Sequence, residues 1–120
     1  VDLELQTIYW SDEVKAIHGV DKHYQPELSQ ALNFYKQGEN RDKIIELFDL
    51  AVNEGKAWDT ELLIVTKQGQ DVWVKSMGQA DYVDGKCVRI YGSFQDINDY
   101  KLLDILFGAV YKHAIHIPIF

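Results

Sequence analysis

Two strand-forming runs joined by an Asp-Gly turn occupy the last third of the chain and limit its fold more than any other feature. Asp71-Val-Trp-Val-Lys-Ser-Met-Gly-Gln-Ala80 is followed by Val83-Asp-Gly-Lys86 and then by Cys87-Val-Arg-Ile-Tyr-Gly-Ser-Phe-Gln95. Asp-Gly between two runs rich in β-branched and aromatic residues is a strong hairpin signal. Upstream, Trp58–Thr66 reads as a third strand, joined to the second by Lys67-Gln-Gly-Gln70. Downstream, Asp96-Ile-Asn98 brings cap-forming side chains to the start of a helix running to about Lys112. A hairpin alone is marginal in water, so these strands need further strands or covering helices.

The first half supplies them. Thr7-Ile-Tyr-Trp10 reads as a strand, with Val1–Leu5 as its hairpin partner. Ser11 suits a helix N-cap with Asp12 and Glu13 in the first turn, so a short helix is expected over Asp12–His18, closed by Gly19. Pro26 can open a second helix over Glu27–Tyr35, and Asn40 can cap a third over Arg41–Glu54. Ile44, Ile45, Phe48, Ala51 and Val52 form the apolar stripe of that third helix, which Gly55 ends. The expected class is α+β: a five-stranded antiparallel sheet with helices on one face.

Composition narrows the function. A net charge of −7 argues against nucleic acid and against direct contact with an anionic membrane. The single cysteine, Cys87, excludes an internal disulfide and a cysteine metal cluster, and fits a cytoplasmic protein. No apolar run reaches the ~18 residues of a spanning helix, so the chain is expected to be cytoplasmic or the cytoplasmic part of a larger membrane-associated protein. It lacks an initiator Met and is expected to be a piece of a longer chain. His113 and His116 lie three apart without a third ligand, so no metal site is expected. His18, at a helix C-terminus, would have its charge favoured there. Glu61 suits an exposed cross-strand pair with a Lys. No nucleophile–base set and no Gly-rich phosphate loop is present, so the segment is not expected to be an enzyme.

Several pieces, in order and at matching spacing, resemble a PAS domain. They are Tyr9-Trp-Ser-Asp-Glu13, Ile17-His-Gly-Val20, Glu61 eight residues before Gly69, Trp73-Val74, Asp84-Gly85 and Gly92-Ser-Phe-Gln-Asp-Ile97. The likeness is to the subclass with Trp-Ser after the second strand. It implies a PAS domain over residues 1–100 and a linker helix over 101–120, with Phe107–Phe120 resembling the start of a following PAS domain. Three positions depart from the family pattern. Leu63 stands in place of an Arg, Tyr35-Lys-Gln-Gly-Glu39 in place of His-Pro-x-Asp, and Asn98 in place of a Thr, which it equals as a cap.

Strand parity divides the side chains between two faces. Val88, Ile90, Gly92 and Phe94 share one, as do Val72, Val74, Ser76, Gly78 and Ala80. The resemblance turns these faces toward the helices, where PAS domains hold ligands. The implied pocket is lined by Trp10, Ile45, Phe48, Leu62, Ile64, Val74, Ser76, Ile90 and Phe94, with the small Ser76, Gly78 and Gly92 leaving space. Leu63, Val65, Trp73, Met77 and Tyr91 fall on the opposite face, an apolar patch expected to form a homodimer or meet a flanking PAS or output domain. Asp96, Ile97 and Asn98 would relay a signal into the last helix. A flavin photosensor's Cys-containing segment is absent and the long helix carries no His, which argues against flavin and haem and leaves an unidentified small ligand. The resemblance thus implies a sensory module of a bacterial signalling protein, with a diguanylate cyclase or sensor histidine kinase as the output. The alternatives are a ligand-free dimerisation scaffold and, without a site to support it, a small α+β enzyme.

Overall fold

The computed structural model describes residues 1–113, with side chains through residue 107. The element order is α1 (Asp12–Ile17), α2 (Leu28–Asn33), α3 (Glu39–Glu54), β1 (Trp58–Val65), β2 (Asp71–Val83), β3 (Lys86–Asp96) and α4 (Asn98–His113). Of the segment Phe107–Phe120, expected to start a further domain, residues 114–120 and His116 with them lie outside the described residues, as does the side chain of His113.

The strands form one antiparallel sheet in the order β1-β2-β3. Its register sets Trp58 opposite Gly78, Ser76 opposite Phe94 and Gly78 opposite Gly92. The α+β class is as expected, but the five strands are not: three are described, and short bridges replace the other two. Val1–Leu3 runs beside β3, with Ile90 N–H donating to Val1 and Leu3 N–H to Val88. The expected Val1–Leu5 hairpin collapses into a turn. Asp2 and Thr7 exchange both backbone bonds, and Asp2 Oδ1 accepts from the N–H groups of Glu4 and Leu5. That carboxylate draws the backbone out of extension, so Ile8, Tyr9 and Trp10 leave the sheet. On the other edge, Phe34 O accepts from Val65 N–H and Lys36 N–H donates to Leu63 O. Asn40, expected as a helix cap, instead accepts from Leu63 N–H at 2.9 Å, and Gly38 takes the cap position at φ 102°.

Helix α3 packs across the sheet through Ile44 and Ala51, both buried. Gly55, left-handed at φ 69°, ends it as expected, and Tyr82 from β2 donates its hydroxyl toward the carbonyls of Ala51 and Val52 in the last turn. Tyr82 adjoins the shift in register between Asp81 and Tyr82. Such a bulge re-aims the side chains beside it.

Trp58 joins the two halves of the core. It packs against the cluster around Tyr35, Ile44, Leu62, Ile64 and Val74 and also against the cluster of Ala51, Cys87 and Ile90. Its ring lies on the bare backbone of Gly78: a Cβ there would meet three indole atoms at 2.2 to 2.4 Å. The expectation that the small residues leave open space is therefore corrected at Gly78, whose space the indole fills. Gly92 is required differently, since a Cβ there would meet the Met77 carbonyl oxygen of β2. Replacing Gly78 by Ala must displace the indole, so Gly78→Ala is expected to destabilise the fold by about 1–3 kcal/mol. Urea denaturation measures it, with the half-exposed Ile45→Ala as a near-neutral control.

Candidate functional site

A cavity of about 200 Å³ lies between the helices and β3. Helix α1 reaches it with Val14, and the residue that caps its C-terminus, His18, lies one turn further on; Trp10 precedes that helix. Ser11 fixes the helix start, its Oγ accepting from Val14 N–H at 3.3 Å. Helix α2 contributes Leu28, Ala31 and Leu32, and Tyr35 follows it. Helix α3 presents Ile44 and Phe48, and Trp58, Ile90 and Phe94 come from the sheet. No Asp, Glu, Lys or Arg side chain lines it among the described residues.

Of the expected pocket residues, Trp10, Phe48, Ile90 and Phe94 line the cavity. Leu62, Ile64 and Val74 are buried beneath it in the core. Ile45 is corrected: it is 40% exposed on the far side of α3, and its neighbour Ile44 faces inward. A period of 3.6 allows either of two adjacent residues to face the sheet, and packing chose Ile44. Ser76 is buried with its Oγ accepting from Trp58 Nε1 at 3.1 Å and from the Tyr35 hydroxyl at 3.4 Å. It satisfies two buried donors and does not itself line the void. Burial raises the Tyr35 pKa, which keeps that hydroxyl protonated as a donor. Trp58 and Tyr35 were missed as site residues, although Trp58 shares the parity of Leu62 and Ile64 and could have been included.

His18 was also missed. It is only 2% exposed, sandwiched between Trp10 (centroids 4.0 Å apart) and Phe94 (4.8 Å), both nearly parallel to it. Phe34 meets its edge at 5.0 Å. The charge expected at a helix end is therefore corrected. Burial lowers the pKa, and the Val14 carbonyl that raises it is the smaller influence. That carbonyl lies 2.7 Å from Nδ1 and can only accept, so Nδ1 carries the proton. In the neutral ring Nε2 is then an acceptor. It has no partner among the described residues, yet it is not sealed in, because no unsatisfied polar atom is fully buried. The contiguous free space on the lining of this residue is the cavity.

The mouth lies where β3 loses its neighbour. Val1–Leu3 covers the edge only as far as Ile90, and Tyr91, Gly92 and Ser93 beyond it are exposed. In an antiparallel ladder alternate residues point their backbone groups to the same side. Gly92 and Phe94 therefore point theirs outward, as Val88 and Ile90 do.

The junction between β3 and α4 is held against β2. Ile97 N–H donates to Trp73 O at 3.0 Å, and Trp73 N–H donates to Asn98 Oδ1 at 3.1 Å. Asp96 Oδ1 accepts from Asn98 N–H at 2.8 Å, and the Ile97 side chain is buried. Lys101 lies over the Trp73 ring at 4.8 Å and pairs with Glu61 at 2.9 Å. Glu61 thus pairs with the helix and not, as expected, with a Lys across the sheet. Of the outer-face residues, Leu63, Val65 and Trp73 are half-buried, while Met77 and Tyr91 are 41% and 43% exposed and also reach the cavity mouth. Among the described residues no group of three or more His, Cys, Asp or Glu could hold a metal ion, and no helix is long and apolar enough to cross a membrane.

The neutral His18 carries a pH signature. The unfolded imidazole takes a proton near its ordinary 6.5, while the folded one resists until the pH is lower. As pH falls below 6.5 the unfolded state binds more protons, so stability is lost there and is fully present above it. His18→Asn keeps a donor for the Val14 carbonyl and removes the titration. It is expected to lower the melting temperature overall yet to flatten its decline between about pH 6.5 and 5, measured by calorimetry across that range.

Comparison with known proteins follows the same lines. A sensory box histidine kinase/response regulator from Burkholderia thailandensis superposes with a TM-score of 0.77 at 19% identity, covering 97% of this chain and 87% of that one. The N-terminal domain of a diguanylate cyclase with PAS/PAC sensor from Marinobacter aquaeolei gives a TM-score of 0.73 at 12% identity, covering 84% and 94%. An RNA-binding light-oxygen-voltage receptor gives 0.71 at 13% identity, covering 92% of this chain but 33% of that one. At these identities the likeness is one of fold. No curated protein matches the chain. The sequence profile of the PAS fold covers residues 7–94, most of the sheet and all the helices that wall the cavity, and the chain belongs to the PAS fold family.

Proposed function

We propose that this PAS domain is a sensory module that holds a small ligand in the cavity beside β3 and passes its occupancy to α4. The observation that carries the reading is the position of Phe94. Its ring stacks on His18 at the cavity wall, and it stands two residues before Asp96, where the strand gives way to the stitched start of α4. An occupant that moves Phe94 strains the bonds of Trp73 to Ile97 and Asn98. A ligand shifts such an equilibrium only by its differential affinity for the two arrangements. The structural neighbours from a histidine kinase/response regulator and a diguanylate cyclase support a diguanylate cyclase or sensor histidine kinase as the output of a longer chain. This segment itself has no catalytic role in the proposal.

A second reading, a homodimer through the outer sheet face, is favoured by the exposure of Met77 and Tyr91 beside half-buried Leu63 and Trp73. It is compatible with the first, or, without a ligand, makes the domain a scaffold.

Native mass spectrometry on protein purified without added ligand separates these. A sensor is expected to carry extra mass that leaves on denaturation. A ligand-free dimer supports the scaffold, and a ligand-free monomer goes against both readings. The relay has its own test. Asn98→Ala removes the acceptor of Trp73 N–H, a loss of about 1 kcal/mol. It is expected to speed amide exchange at Trp73 and over Ile97–Lys101 by about fivefold while leaving Ala51 and Ile64 protected. Exchange spread evenly over the sheet would sink the idea of a local junction.

A further inference from the structure

We propose that His18 sets the ligand class: an uncharged, flat molecule of one or two rings whose N–H or O–H donates to His18 Nε2. The inference rests on the ligand-binding reading above and adds to it the chemistry of the occupant. Three observations carry it.

Size comes first. Pockets for drug-sized molecules run from about 300 Å³ upward, and an engineered apolar cavity of about 150 Å³ accepts benzene. A void of about 200 Å³ fits a small ring system. Shape and charge come next. Trp10, Tyr35, Phe48, Trp58 and Phe94 supply flat apolar walls, against which flat rings pack with the most contact. No charged side chain lines those walls among the described residues. The Val1 amino group, on a residue that also lines the cavity, is engaged by the Ile90 carbonyl at 2.6 Å, so an unpaired charge brought against the aromatic walls would lose its hydration without a side-chain partner.

Polarity comes third. The Tyr35 hydroxyl and the Trp58 N–H are both spent on Ser76, and the Tyr91 hydroxyl donates to Gln79 at 3.1 Å. His18 Nδ1 is spent on Val14. The Tyr9 and Ser93 hydroxyls on the lining belong to exposed residues; among the buried lining residues the polar side-chain atom that remains is Nε2 of His18, a residue only 2% exposed, with no protein partner for that nitrogen among the described residues. Burial keeps that ring neutral, so the nitrogen accepts and does not donate. An occupant that covers this accessible nitrogen without donating to it buries an unsatisfied acceptor, so the site discriminates against any molecule that lacks a donor. Trp10 and Phe94 clamp the ring from both faces, so the acceptor direction is fixed before a ligand arrives.

The test titrates the ¹⁵N-labelled protein at neutral pH with three probes of one shape: indole, benzofuran, which lacks the N–H, and indole-3-carboxylate, which adds a charge. Indole is expected to bind about three- to tenfold more tightly than benzofuran, with the carboxylate weakest. Indole should also shift the ring ¹⁵N signal of Nε2 as an accepting nitrogen, which benzofuran should not. In His18→Phe, which keeps the stack and removes the acceptor, the two neutral probes should bind alike. The wild-type ring signal decides the matter even if that variant fails to fold. Equal binding of indole and benzofuran to the wild type, or tighter binding of the carboxylate, overturns this inference and leaves the cavity reading standing. Failure of all three to bind overturns both.

Discussion

The seating of Trp58 on Gly78 is the constraint on which the rest of this domain depends. The indole sits at the start of β1, directly across from a residue without a side chain, and it contacts both halves of the core. Its N–H is satisfied by Ser76, which also takes the Tyr35 hydroxyl. A large ring, a glycine and one hydroxyl therefore locate α3 over the sheet and anchor the end of α2. Phe48 completes the arrangement, tilted against the indole at 6.4 Å. Because interiors are close-packed, a change at any of these residues is felt by the others. The cavity is what this packing leaves over on the β3 side.

The cavity and the start of α4 are joined by one strand. The inner face of β3 forms the cavity wall, and its end enters the junction with α4. That junction is held by one backbone bond, two bonds accepted by the Asn98 and Asp96 side chains, and a buried Ile97. The Glu61–Lys101 pair is partly exposed, and pairs of that kind contribute about 0–1 kcal/mol. Lys101 gains more definition from lying over Trp73. Geometry, more than charge, thus decides where α4 begins. Beyond the junction, Leu102, Leu103, Ile105, Leu106 and Phe107 are all more than half exposed, so between the first turn of α4 and Phe107 little of the helix is tied to the sheet.

Local chemistry was legible where one residue type can do the job. Asp84-Gly85 marked the β2–β3 turn, Gly55 the end of α3 and Ser11 the start of α1, each a backbone demand answered by a particular residue. What was not legible depends on partners distant in the chain. Periodicity could not choose between Ile44 and Ile45, because either can face the sheet until the helix is docked. Ser76 and Gly78 read as vacant space, and only the arrival of Trp58 makes them occupied. His18 read as a favourable helix-end charge, because nothing nearby announces that Trp10 and Phe94 close over it. The N-terminal strands failed for another reason: Asp2 bonds its own neighbours, a competition that strand propensity does not weigh.

The uncovered stretch of β3 has a meaning for the behaviour of the protein in concentrated solution. Past Ile90 the strand presents backbone donors and acceptors at Gly92 and Phe94 with no neighbouring strand, and Gly92 has no side chain to obstruct approach. Such an edge is a template for a strand of another molecule. On the opposite side of the sheet, Phe34–Lys36 and Asn40 leave β1 no equivalent opening over Leu63–Val65. Strand addition at β3 would therefore occur beside the cavity lining, at Gly92 and Phe94. On the ligand-binding proposal, an occupant of the cavity would also shield this stretch of strand from other molecules.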